Sequence, residues 1–229
     1  VFPVGIAGLL SAGPLWTLLL AGSLGVLLLR KGGLPILGEN PDAIGKALLA
    51  LLCVILFLDF AEALGPPADA DSLAYHFNWP KSFIADGKVA FIPQAWTGAV
   101  PLLIQMTYIP SLALGGETAL TLWTMTASWA GAAMLFVFCR RHVSLNWSLA
   151  VALVYLTTPA VVYGGGSGQV EPKLTLFVMA GAWGLARSLE TGRLSFAGLA
   201  GLAAGFFAGA KYMGLLFVAA TGLVILFQR

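Results

Sequence analysis

Apolar residues gather along this chain in long blocks separated by short polar breaks. Seven blocks have the length and apolarity of membrane-spanning helices: residues 4–29, 44–64, 117–139, 147–163, 174–189, 195–208 and 212–227. An eighth, residues 100–114, is shorter and carries Pro101 and Pro110. That length predicts a re-entrant or interfacial helix rather than a crossing. The pattern predicts an all-α fold, a polytopic transmembrane helical bundle forming a single domain over residues 1–229. The start on Val1 and the stop at Arg229 directly after an apolar block read as a fragment of a longer protein. The first block is too long for a cleaved signal peptide and lacks its basic start.

Between the second and eighth blocks, residues 65–98 form a loop too long and too patterned for a bare connector. Leu73, Phe77, Pro80, Phe83 and Ile84 recur near helical spacing, with Tyr75, Asn78, Lys81 and Asp86 on the other face. The spacing predicts an amphipathic interfacial helix over residues 72–86, anchored by Trp79 and Trp96 and stopped at Gly87.

Charge orients the blocks. Arg30, Lys31, Lys46, Arg140, Arg141, Arg187, Arg193 and Arg229 all fall on one side if residues 100–114 do not cross. The positive-inside rule makes that side the cytoplasm. The loop with Asp69 and Asp71, the glycine-rich residues 164–172 and Lys211 then meet at the outer face, with Lys211 at the top of a tight helical hairpin.

Composition narrows the class. The chain is 59% hydrophobic and 10% charged, against about 25% charged in soluble domains, and its mean hydropathy is +0.91. A net charge of +2, scattered over block ends, leaves no nucleic-acid surface. Cys53 and Cys139 sit in apolar runs and read as small buried apolar side chains, without a disulfide framework or zinc spacing.

Against that background the ionisable residues stand out. Asp69 and Asp71 lie two apart. In an extended segment both would point the same way and suit a divalent ion. If a helix starts at Asp71, its carboxylate caps backbone N–H groups instead and shares a face with Tyr75. His76 is a candidate acid, base or phosphate contact, or an interfacial packing residue. Glu171 follows a glycine-rich loop and opens a block, where a carboxylate also complements the helix dipole. Lys211 interrupts an apolar stretch; an anion such as phosphate would offset its cost, and snorkelling to headgroups is the alternative. Gly201, Gly205 and Gly209 recur every four residues and predict close helix packing. Walker, zinc-protease and nucleophile-elbow motifs are absent.

In order along the chain come Asp71-Ser72-Leu73-Ala74-Tyr75, Gly87, Pro101, Gly115-Gly116, Arg140-Arg141, Thr158-Pro159, Glu171, and Gly201-Leu202-Ala203-Ala204-Gly205 before Lys211. This order resembles the N-terminal membrane half of GT-C superfamily glycosyltransferases. It is most similar to bacterial relatives of protein O-mannosyltransferases and of the lipid A aminoarabinose transferase. The resemblance implies sugar transfer from a polyprenyl-phosphate-linked donor to a lipid, glycan or protein acceptor at the outer face of a bacterial inner membrane. It maps catalytic roles onto Asp71 and Glu171, and phosphate binding onto Lys211. Tyr75, His76 and Asp69 stand beside them as substrate-binding candidates, and Asp69 with Asp71 as a candidate divalent-metal pair. A second acid common after the first-loop aspartate in relatives is Ser72 here. A secondary transporter using the same acids, and a non-catalytic envelope-assembly protein, are the competing readings.

Overall fold

The computed structural model describes residues 1–29, 40–93, 95, 97 and 100–227. Arg30, Lys31, Trp96, Gly98 and Arg229, which entered the charge and anchor patterns above, lie outside the described residues. Among the described residues all regular structure is helical. The order is α1 (Phe2–Ile6), α2 (Ala12–Leu29), α3 (Ala43–Ala63), a π-helical turn (Ser72–His76), α4 (Asn78–Ala85), α5 (Leu103–Cys139), α6 (Leu145–Thr157), α7 (Pro159–Gly165), α8 (Glu171–Thr191), α9 (Leu194–Ala210) and α10 (Gly214–Phe227). By length and composition α3 and α5 are long and apolar enough to cross a membrane, and α6 with α7 make a third if that bent pair is one span. Leu51, Val54, Phe57 and Leu58 of α3, and Leu215, Leu216 and Phe227 of α10, are exposed.

Several expected elements are broken, each for a local reason. The first block divides into α1 and α2. α1 and the segment after it dock on the loop, with Leu10 N–H donating to Gly87 O and Val89 N–H donating to Gly5 O of α1. The block expected over residues 147–163 bends by 66°. Thr158 is extended there (φ −64°, ψ 127°) because the following Pro159 disfavours helical backbone before it. Pro110 does not interrupt α5. The break comes at Gly116, with φ 69° and ψ −163°, a conformation essentially confined to glycine. Residues 103–115 therefore form a short helix distinct from 117–139, as expected for the eighth stretch.

The amphipathic helix expected over residues 72–86 is two pieces that meet at Phe77. Phe77, Pro80 and Phe83 are buried as the pattern required, but Leu73 is exposed. Trp79 packs inward beside Leu10, Leu15 and Met106. Removing either buried Phe ring carries the usual cost of about 3–5 kcal/mol.

Two further expectations are corrected. Cys53 is exposed, because α3 turns that face outward, and Cys139, the last residue of α5, is half-buried. The glycine stripe of α9 is not its packing face: a Cβ on Gly201 or Gly205 would meet open space, and one on Gly209 only the Leu103 side chain at 3.5 Å. The alanines Ala200, Ala203 and Ala204 are buried instead. Backbone at Ala200 comes within 3.0 Å of a Cβ built on Gly184 of α8.

Core residues divide by position. Leu52, Ala132, Phe136, Leu149 and Leu156 join α3, α5 and α6. At the far end of that group Asp42 caps α3 through Gly45 N–H (2.8 Å) and accepts Asn146 Nδ2 at 3.0 Å. Phe77, Ile104, Tyr108, Leu120, Val170, Leu174 and Ala210 form a second cluster. It lies beneath the polar residues described next.

Candidate functional site

The loop after α3 and the loop before α8 meet at Asp69. Its Oδ2 accepts Ser72 N–H (2.8 Å), Ser72 Oγ–H (2.6 Å) and Gln169 Nε2–H (3.0 Å). Its Oδ1 accepts the Tyr163 hydroxyl. Burial pushes the carboxyl pKa up, but the bonds from Ser72, Tyr163 and Gln169 outweigh that and hold it at about 2. Ser72 Oγ in turn accepts Gly168 N–H at 2.7 Å. A Cβ on Gly168 would lie 2.7 Å from Ser72 Oγ and 2.4 Å from the Phe77 ring, so only glycine allows this approach. From beneath, the buried Tyr108 hydroxyl donates to Gly168 O at 3.0 Å.

Asp69 thus behaves as the cap of the following turn, through Ser72 three residues on. Asp71, two residues away, is already helical (φ −69°, ψ −37°), is exposed, and makes no capping bond. The extended geometry that would have aligned the two carboxylates is not adopted. Asp69 also spends both oxygens on protein donors, so the pair does not fit a divalent ion. Among the described residues no three His, Cys, Asp or Glu side chains group as metal ligands.

A cavity of about 270 Å³ opens beside this wall, lined by Tyr75, His76, Gln105, Val170, Lys211 and Tyr212, among others. The π-turn presents Tyr75 and His76, the short helix of α5 presents Gln105, and the α9–α10 joint presents Lys211. Lys211 stands in extended backbone (φ −156°, ψ 141°) immediately after α9. Its Nζ lies 2.6 Å from Glu171 Oε1 at the start of α8, both side chains being about half exposed. His76 is buried, with Nδ1 2.6 Å from the Gln105 side-chain amide. Burial lowers the imidazole pKa to about 4; Glu171, Asp71 and Asp69 pull it upward and Lys211 downward. Burial, then Asp71, Glu171 and Asp69, raises the Tyr75 phenol.

Of the residues singled out from the sequence, Tyr75, His76 and Lys211 line one cavity and Glu171 pairs with Lys211. Asp71 stands beside them with a free carboxylate, and Asp69 is part of the wall. Sequence reasoning missed Tyr163, Gln169, Gln105, Tyr108 and Lys173. Gln105 and Lys173 had a signal, a polar residue inside or at the start of an apolar block. The Asp69-x-x-Ser72 spacing also carried one, as a capping pattern. Nothing local marked Tyr163 or Gln169, which reach Asp69 across 94 and 100 residues. No family model, curated protein or solved structure matches this chain.

Proposed function

We propose that this chain is the N-terminal part of a GT-C-type membrane glycosyltransferase. It moves a sugar from a polyprenyl-phosphate-linked donor to an acceptor at the outer face of a bacterial inner membrane. In this reading the helices form a polytopic bundle with the cavity at its outer end. The observation that carries the proposal is the convergence of Tyr75, His76 and the Glu171–Lys211 pair on one cavity, beside the unpaired Asp71. The basic residues support the orientation. Lys46 lies at the start of α3, Arg140 follows α5 and Arg187 lies near the end of α8, all remote from the Asp69 wall.

The chemistry follows from these groups. An acceptor oxygen attacks the anomeric carbon while the bond from that carbon to the phosphate oxygen breaks. The electron pair leaves with polyprenyl phosphate, and the acceptor proton passes to a carboxylate. Asp71 is the carboxylate free to take it. Lys211 offsets charge on the departing phosphate, and Glu171 holds the ammonium at the cavity edge. His76, neutral at pH 7, adds a hydrogen-bonding imidazole to the cavity wall.

The test supplies the full-length protein in nanodiscs with a panel of polyprenyl-phosphate sugars and follows release of polyprenyl phosphate. The expected result is release by the parent, a loss of about 10²-fold or more for Asp71→Asn, and a raised donor KM for Lys211→Ala. Undiminished release by Asp71→Asn would remove Asp71 from the chemistry. Substrate counterflow in proteoliposomes without release would favour the transporter instead.

A further inference from the structure

At the end of the molecule opposite Asp69, the close of α5, the last turns of α8 and the start of α9 meet around a cluster of guanidinium groups. On α8, Trp183, Arg187 and Glu190 stand four and three residues apart and so share one helix face. The end of α5 brings Phe138 to that face, and the turn after it brings Arg141 and His142. Together these six residues line a cavity of about 130 Å³.

Aromatic rings hold the cations in place. The Arg141 guanidinium lies 5.4 Å from the centre of the Trp183 ring, and Phe138 stacks on the same indole at 5.5 Å with the planes 13° apart. Phe196 of α9 meets Trp183 edge-on at 5.5 Å. It carries Arg187 at 5.6 Å on one account and Arg193 at 5.4 Å on another. A guanidinium laid on a ring is already ordered, so it loses less freedom in gripping a ligand than a loose surface arginine does.

Charge in the cluster is unbalanced. Three guanidinium groups face one carboxylate, Glu190, and that one is engaged by Arg187 at 2.6 Å. Among the described residues no carboxylate pairs with Arg141 or Arg193. A phosphate group matches the planar guanidinium fork through two parallel N–H···O bonds. Basic pockets between membrane helices bind anionic headgroups in the same way. By length and composition α5 can cross a membrane, and it ends at Cys139, two residues before Arg141. The cluster therefore stands at the level where such a span meets the headgroups. Volume sets the size of the occupant. The cavity is smaller than the roughly 300–1,000 Å³ of ordinary small-molecule sites, so it takes one phosphate group and not a whole nucleotide.

We propose that Arg141 and Arg187 bind a phosphate group in this cavity, carried by an anionic membrane lipid or present as free phosphate. The proposal does not rest on the glycosyltransferase reading, since none of its residues lines the cavity at the Asp69 end.

The test measures binding of short-chain phosphatidic acid, and of phosphatidylcholine with the same chains, to the full-length protein in neutral detergent by titration calorimetry. The expected result is saturable binding of phosphatidic acid about tenfold tighter than of phosphatidylcholine, equivalent to about 1.4 kcal/mol. Arg141→Gln and Arg187→Gln should each remove that preference. Both side chains reach the surface, so both variants should melt as the parent does. Lys46→Gln, exposed at the same end but outside the cavity, should keep the preference. Competition by inorganic phosphate would assign the site to the phosphate group alone, and its failure to compete would assign the site to the lipid. Equal affinity for the two lipids in the parent would overturn the proposal. So would a preference that survives both arginine substitutions, or one that falls as far in Lys46→Gln, which would reduce the effect to general surface charge.

Discussion

At the scale of single residues, neighbouring ionisable groups take opposite roles because their surroundings differ. Asp69 is enclosed by four donors and stays ionised to about pH 2, while Asp71 keeps an unengaged carboxylate. His76 supplies a pH test. Its ordinary value is 6.5 and its folded value about 4. Above pH 6.5 both folded and unfolded chains hold it neutral, and it contributes no pH dependence. As pH falls from 6.5 to 4, only the unfolded chain takes up the proton, so stability is lost, by about 3 kcal/mol across the window. Below pH 4 the loss levels off. Melting temperature measured against pH should show this slope in the parent and a flatter one in His76→Gln.

At the scale of elements, one glycine decides what α5 is. With Gly116 at φ 69° the short helix 103–115 folds back against α2 and α4 and carries Gln105 and Tyr108 to the site. A continuous helix of 37 residues would carry them away from it. Gly116→Ala should therefore cost about 1–3 kcal/mol. Because the strain is relieved by straightening α5, His76 should also lose its Gln105 partner, visible as an upward move of the imidazole pKa by NMR. An unchanged imidazole with lowered stability would mean that the break serves folding alone. The break at Phe77 does comparable work: it keeps that ring beneath Gly168 while the π-turn presents Tyr75 and His76 to the cavity.

For the whole molecule, the two ends differ in chemistry. One end joins the loops after α3, before α8 and after α9 through Asp69, Ser72 and the Glu171–Lys211 pair. The opposite end carries Asp42 with Asn146, and Arg141 and Arg187 against Trp183 and Phe196. If the proposed orientation holds, single cysteines placed at the exposed Ala70 and Ala85, in a background lacking Cys53 and Cys139, should react with a membrane-impermeant maleimide added outside intact cells. One at Thr191 should react only after permeabilisation. Reaction of all three from the same side would reject the bundle as drawn.

What the sequence determined by itself is the helical class and the order of the apolar blocks. Block length and the glycine pair Gly115-Gly116 act through neighbours a few residues away, so they are legible without a fold, whereas the divisions of the first block, of residues 147–163 and of residues 72–86 were not read. That Glu171 and Lys211 share one end also followed, because short connections leave block ends little choice of place; that they pair did not. Only the tertiary structure decided which aspartate is anchored and which is free. Both lie in one loop, but the donors that separate them, Tyr163 and Gln169, arrive from α7 and the following loop. It likewise decided that α9 packs through alanines rather than glycines, since the spacing of small residues does not say which face meets a neighbour. Lys173 belongs to the same category: a lysine early in a helix is ordinary in sequence. Its nitrogen becomes buried, without a hydrogen-bond partner and against the Tyr108 ring, only once α5 and α8 have packed together.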